Sequence, residues 1–282
     1  MLVALAINVV LLVAEAVGGL ITGSLALLAD AGHVLSDVGA IALGITAAAV
    51  AARGATSQRT FGLQRAEVFA GLVNGLALVV IAVLIAIEAI GRLSDPVELD
   101  AAPVLILGVV GLAGNVAATI VLARGERGDI NLEGVLRHSA ADALGSIGVI
   151  VSAVLILAAG LDAADPIASL LISALVLASS WRLIWEPINV LMEAAPAELD
   201  VDQMGQALCR VDDVISVHDL HVWTVTAGFV ALAAHVVVRE GTDRDLVRAR
   251  LELLLRDSFG IEHTTLQMEE EAPGGLLEIE NA

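Results

Sequence analysis

Two stretches of this chain place ionisable groups inside long apolar runs. Asp30, His33 and Asp37 lie in Leu28-Ala-Asp-Ala-Gly-His-Val-Leu-Ser-Asp37, and His138 and Asp142 in His138-Ser-Ala-Ala-Asp142. In hydrocarbon such groups cost about 2.5–3.5 kcal/mol each on insertion scales, so each needs a partner or a purpose. Both runs contain His-x-x-x-Asp. Residues four apart lie one turn above the other on one face of an α-helix, so each pair aims a nitrogen and a carboxylate in the same direction. Two such helices facing each other make a cage of four ligands. Two imidazoles and two carboxylates suit tetrahedral Zn²⁺, whose ligands sit at about 2.0–2.2 Å, and the absence of thiolate argues against Cu(I).

Charge favours transport over storage. Two neutral imidazoles and two ionised carboxylates are cancelled by one divalent cation, leaving a loaded site neutral in the membrane. Once the metal leaves, close carboxylates in a low dielectric favour proton uptake, so metal/proton antiport is expected. The bland alternative is that each pair is an internal polar contact of the bundle; its repetition in two runs favours ligation. Asp30, near the start of its run, is the weaker candidate: it reads as a membrane-face residue, with an auxiliary place on the entry path as the functional alternative. Asn8, Glu15, Asn74, Glu88 and Asn115 are expected to hydrogen-bond between helices or to wet that path.

The elements that must hold these groups follow from composition. Of 282 residues, 58% are hydrophobic and 17% charged, with a mean hydropathy of +0.89; an ordinary soluble domain is about 45–50% apolar. Six stretches reach the roughly 20 apolar residues that a spanning helix needs: Leu2–Ile21, Leu25–Ala52, Glu67–Ile90, Ala102–Ala123, His138–Ala159 and Ile167–Trp185. The first lacks a basic leader and a cleavage site, and reads as a span rather than a signal peptide. Arginine supplies all 14 basic residues: Arg53, Arg59 and Arg65 follow the second span, Arg124, Arg127 and Arg137 the fourth, and Arg182 closes the sixth, with only Arg92 opposite. The positive-inside rule then puts both termini in the cytoplasm. Glycines crowd the spans, as expected for close helix packing.

A net charge of −19 excludes nucleic acid as a partner and makes cations the natural guests. The one cysteine, Cys209, rules out a Cys-rich zinc ribbon and reads as a buried structural thiol. There is no His-Glu-x-x-His and no nucleophile beside a base, so an enzyme is not expected. A membrane metal sensor, or a channel with a structural intramembrane metal, is the alternative to transport.

Three segments carry a resemblance: Ser24-Leu-Ala-Leu-Leu-Ala-Asp-Ala-Gly-His-Val-Leu-Ser-Asp-Val38, Phe61-Gly-Leu-Gln-Arg-Ala-Glu67 and Val217-His-Asp-Leu-His-Val-Trp223. Together they resemble the cation diffusion facilitator family, in particular its zinc-exporting members. The resemblance implies a homodimer in the bacterial inner membrane that works by alternating access. It also implies cytoplasmic Zn²⁺ (with Cd²⁺ or Co²⁺ as further substrates) exchanged for protons at a site made by the second and fifth spans. Those spans carry His33, Asp37, His138 and Asp142 here, the two-His version linked in the family to zinc. Residues 51–65 contain no His, Asp, Glu or Cys, and residues 124–137 no His. The loop metal site of some relatives and the His-rich loop of many eukaryotic ones are therefore absent, and the bacterial type is implied.

Composition shifts between Pro187 and Pro196 to acidic, alternating sequence. The expected organisation is a six-helix transmembrane bundle over residues 1–190, a small cytoplasmic α/β domain over 191–270, and an acidic tail over 271–282. The second domain reads helix (Val201–Arg210), strand (Val214–Thr226), strand (Phe229–Val238), helix (Asp243–Phe259), strand (Thr264–Glu269), a ferredoxin-like or metallochaperone-like arrangement. By the resemblance, His218 and His235 match cytoplasmic zinc ligands, with Glu269 near a carboxylate ligand position; Gln267 stands where some relatives carry His. His221 and His263 are further candidates, and Asp219 could orient or ligate. A metal held there would act as a regulatory ligand by its differential affinity for two conformations.

Overall fold

The computed structural model describes residues 2–95, 97–125 and 132–270; side chains at 2, 4, 122–125 and 132–141 lie outside the description. Six long helices come first: α1 (Leu2–Thr22), α2 (Leu25–Ala51), α3 (Ala66–Ser94), α4 (Ala101–Gly125), α5 (Leu132–Ala159) and α6 (Ala164–Leu191). All six are long and apolar enough to cross a membrane. Residues through Pro187 and residues from Ile188 onward form two compact units.

The bundle is built from small residues inside and large ones outside. Its core joins Ala26, Leu27 and Ala29 of α2, Leu78 and Ala82 of α3, Val104 of α4, Val149 and Ala153 of α5, and Ala168 and Ile172 of α6. Leu20, Ile21, Leu84, Ile106 and Leu171 are exposed, as they must be when the surrounding solvent is hydrocarbon. Glycine admits the closest approaches. A Cβ on Gly75 of α3 would stand 2.9 Å from Ile184 of α6, and one on Gly114 of α4 would stand 2.6 Å from Leu11 of α1.

The start of α2 is fixed with particular care. Gly23 supplies the left-handed turn after α1 at φ 74°. Ser24, in extended conformation, caps α2 by accepting from the Leu27 N–H, the usual N-cap role of serine. Asp165, in the first turn of α6, completes the cap. It is 0% exposed and accepts from Ser24 Oγ at 2.5 Å, the Leu25 N–H at 2.8 Å and the Ala26 N–H at 3.3 Å. Two of the backbone donors that a helix start leaves orphaned are thus satisfied by a carboxylate from another helix.

The second unit contains α7 (Val201–Cys209), β1 (Val214–Thr226), β2 (Phe229–Val238), α8 (Arg244–Phe259) and β3 (His263–Glu270). The sheet order is β1-β2-β3, with β1–β2 antiparallel and β2–β3 parallel. Asp200 and Asp243 cap the two helices at their starts, and Gly260 ends α8 in the left-handed region. The core packs Met204 and Leu208 of α7 and Val247, Leu251 and Leu255 of α8 against Leu232, Ala234, Val236 and Val238 of β2. Strand alternation leaves Ala233, His235 and Val237 on the opposite face. Cys209 corrects the expectation of a buried thiol: it is exposed, because the inward positions of α7 are taken by Met204 and Leu208.

Candidate metal centres

The first centre lies between α2 and α5. Donor atoms of His33, Asp37 and Asp142 all fall within 4.8 Å of one another. His33 and Asp37 are one turn apart on α2, so both point the same way. The imidazole meets the other helix directly, with His33 Nε2–H donating to Asp142 Oδ1 at 2.9 Å. Both side chains are largely buried, at 14% and 15% exposure. One nitrogen and two carboxylates at this spacing suit a borderline divalent cation. The fourth expected ligand, His138, lies outside the described side chains. Its position four residues before Asp142, on the same helix, places its Cα one turn away from that of Asp142.

Asp30 departs from the expected membrane-face position. It is 1% exposed, inside the bundle, and accepts a hydrogen bond from Ser146 Oγ of α5 at 2.9 Å. Ser146 in turn accepts from Asn115 Nδ2 of α4 at 3.2 Å. Gly145 makes room for the carboxylate: a Cβ there would stand 2.4 Å from Asp30 Oδ1. Asn74 donates to Ser36 Oγ at 3.1 Å and Glu88 pairs with Arg92 at 3.1 Å, both ordinary polar contacts. Sequence reasoning passed over Asp165 altogether. Its one signal was an acidic residue opening an apolar helix, where it could complement a helix N-terminus.

The second centre lies on the open face of the three-stranded sheet. His218 and His235 are directly paired across β1 and β2, with ring centroids 5.0 Å apart. Donor atoms of His218, His235 and Glu269 fall within 4.8 Å of one another. His235 Nδ1–H donates to Glu269 Oε1 at 2.7 Å, and His218 Nε2–H to Oε2 at 3.2 Å. Gln267 Nε2 also donates to Oε1, at 2.8 Å. The hydrogen bond from His235, then that from Gln267, holds the Glu269 carboxyl below the usual glutamate range. The strand pairing shows why these residues meet. Gln267 is level with His235 across β2 and β3, and Glu269, two residues on, shares its face.

A β-bulge separates His221 from this cluster. Between the His218–His235 and His221–Ala233 pairs β1 spends three residues where β2 spends two, with Asp219 at φ 48°. The extra residue re-aims the strand, and His221 is exposed outside the group. His263 packs edge-on against Phe229 at the other end of β3 and is not in the group either. Asp219 Oδ2 lies 3.5 Å from His218 Nδ1, where it can orient that ring.

An apolar six-helix bundle with a nitrogen–oxygen cage between two of its helices defines a membrane protein that handles divalent cations. A family model described as "Cation efflux transmembrane domain" matches residues 1–192, and one described as "Cation efflux protein, cytoplasmic domain" matches residues 196–271. The chain belongs to the cation diffusion facilitator family, whose members are transporters and not enzymes. It is 38% identical to the "Cadmium, cobalt and zinc/H(+)-K(+) antiporter" of Bacillus velezensis, over 92% of this chain and 84% of that one. It is 40% identical to "Zinc transporter ZitB" of Escherichia coli, over 90% and 82%. It is 36% identical to "Metal cation efflux system protein CzcD" of Cupriavidus metallidurans, over 95% and 85%. Family membership makes this chain a transporter of divalent cations across a membrane through metal-coordinating residues.

Proposed function

We propose that this protein exports Zn²⁺ from the bacterial cytoplasm in exchange for protons. The substrate is held by His33, Asp37, His138 and Asp142 in a tetrahedral site between the second and fifth helices. The observation that carries this reading is the meeting of His33, Asp37 and Asp142 donor atoms within 4.8 Å inside an apolar bundle. The two-imidazole, two-carboxylate set suits zinc, and the relatives' names include zinc among their substrates. His33 Nε2 and Asp142 Oδ1 already face each other at 2.9 Å; a dication would take both atoms in place of that hydrogen bond. Proton exchange follows from the same charge balance, because the emptied cage cannot keep its carboxylates bare in hydrocarbon.

Residues 1–190 carry transport in this reading, and residues 191–270 form a cytoplasmic metal-responsive domain in a homodimer of the inner membrane, with both termini cytoplasmic. His218, His235 and Glu269 hold a regulatory zinc there. His221 and His263, which sit apart from that cluster, have no part in it.

The test is zinc uptake by proteoliposomes containing an entrapped zinc dye, with and without a pH gradient, for wild type and for Asp142→Ala and His33→Ala. Gradient-sensitive uptake in wild type is expected. Each variant should lose more than the roughly 10–100-fold that outer-shell changes cost a metal site. Wild-type flux in Asp142→Ala would place the metal path elsewhere. Uptake in wild type indifferent to the gradient would remove the antiport.

A further inference from the structure

Glu15 is the sole ionisable side chain of α1 and the transport reading leaves it without a task. It is 1% exposed, and among the described residues neither carboxylate oxygen has a hydrogen-bond partner. Its Oε1 is pressed onto α4, 2.4 Å from the point a Cβ on Gly111 would occupy; Ser146 Oγ of α5 lies 3.4 Å from that same point. Ser146 donates its hydroxyl hydrogen to Asp30 Oδ2 at 2.9 Å and accepts from Asn115 at 3.2 Å. Asp30 is also 1% exposed, and its Oδ1 has no partner among the described residues. Four helices therefore converge on two buried carboxyl groups flanking one serine.

Two buried carboxylates with one hydroxyl donor between them are not sustained at this depth, so the pair must bind a proton or a metal ion. The surroundings discriminate between carriers. Among the described residues no imidazole or thiol bonds either carboxyl, and the free oxygens abut the bare backbone of Gly111 and Gly145. A metal ion needs several ligands at about 2.0–2.6 Å, whereas a proton adds no volume. The charged groups around the pair are few. α2 carries His33 three residues beyond Asp30, and α5 carries Asp142, to which His33 is bonded. α4 offers no ionisable residue over 101–121, and His138 lies outside the described side chains.

We propose that Glu15 and Asp30, on either side of Ser146, form a proton-holding site separate from the His33–Asp37–Asp142 cluster, and that it holds one proton of the exchange in addition to any taken up by the emptied metal cage. The inference rests on the antiport reading and adds where the counter-ion sits. With the metal site empty, the pair holds the proton as a neutral carboxylic acid. Arrival of a dication beside Asp142 and His33 raises the local positive potential and drives that proton off to the facing water.

The experiment measures the zinc concentration giving half-maximal uptake into proteoliposomes at several pH values, for wild type and Glu15→Gln. Each exchanged proton changes apparent affinity by about tenfold per pH unit, and Glu15→Gln is expected to lower the wild-type response by about that factor. A full pH response in Glu15→Gln would overturn the proposal while leaving antiport intact; no pH response in wild type would remove antiport itself. Loss of a bound zinc equivalent from Glu15→Gln, with pH response retained, would overturn it in favour of a metal subsite. Should Glu15→Gln elute as aggregate, Glu15→Asp decides: a displaced pH midpoint supports the proposal and an unchanged one refutes it.

Discussion

Asp165→Asn should destabilise the bundle severely although it is nearly isosteric and touches neither metal centre. The carboxylate accepts three hydrogen bonds, from Ser24 Oγ, the Leu25 N–H and the Ala26 N–H, and is 0% exposed. A carboxamide has one acceptor oxygen. If that oxygen replaces Oδ1, the new amide hydrogens face the Leu25 N–H, donor against donor. Hydrogen bonds to a charged group are worth about 1.5–3 kcal/mol each, and a buried donor left unsatisfied costs about 1–3 kcal/mol. One bond lost and one donor stranded give about 3 kcal/mol, roughly a hundredfold in the folding equilibrium. For a chain of this size that is a fall of about 6–12 °C in melting temperature, readable on the purified protein in detergent. His33 lies eight residues beyond Leu25, about 12 Å along α2, so transport should weaken as the helix start loosens. Glu98→Gln, on an exposed carboxyl, is the control expected to change nothing measurable. A melting temperature for Asp165→Asn within about 2 °C of wild type would show that water or another donor–acceptor pair satisfies the α2 start, and would refute the cross-helix cap.

Gly145→Ala puts a methyl 2.4 Å from Asp30 Oδ1 and 3.3 Å from its Cγ. Overpacking of this kind costs about 1–3 kcal/mol, and Asp30 should be driven off Ser146. A clear loss of zinc flux with melting lowered by only a few degrees is expected, and wild-type flux would show that Asp30 has no part in transport. In the cytoplasmic domain, Glu269→Gln should cost at least about tenfold in zinc affinity by calorimetry on the full chain, while zinc-saturated flux is lost only if that metal is obligatory. The same variant tests linkage. The fold holds the Glu269 carboxyl below its ordinary range, so the stabilisation is complete above about pH 4.3 and disappears as pH falls through the lowered value. The melting difference between wild type and Glu269→Gln should shrink on acidification, and a difference that grows would reverse the assignment.

Much of this protein is legible before any coordinates. The six apolar runs became helices because hydrocarbon leaves the backbone no other way to satisfy its own donors and acceptors. Helix ends shifted by a few residues, as for α5, which begins at Leu132 rather than His138. The spacing of His33 and Asp37 put both groups on one face because helical periodicity fixes what lies four residues away, and Asp142 meets them there. Pattern alone likewise gave the strands and helices of the second unit, where alternation and leucine spacing are strong.

What sequence could not supply depends on partners far apart in the chain. Asp30 reads as a helix-start residue, yet Ser146, 116 residues away, and the bare surface of Gly145 draw it into the interior. Asp165 and Ser24, 141 residues apart, meet only because α6 begins beside the start of α2. In the second unit the resemblance ranks His218 and His235 ahead of His221 and His263, but spacing alone gives no reason for the order. The bulge between His218 and His221 and the parallel pairing of β2 with β3 select His218, His235 and Glu269 and leave His221 and His263 aside. Periodicity is a local property that each residue carries with it; the neighbour across the bundle or the sheet is set by packing, and packing exists only once the whole chain has folded.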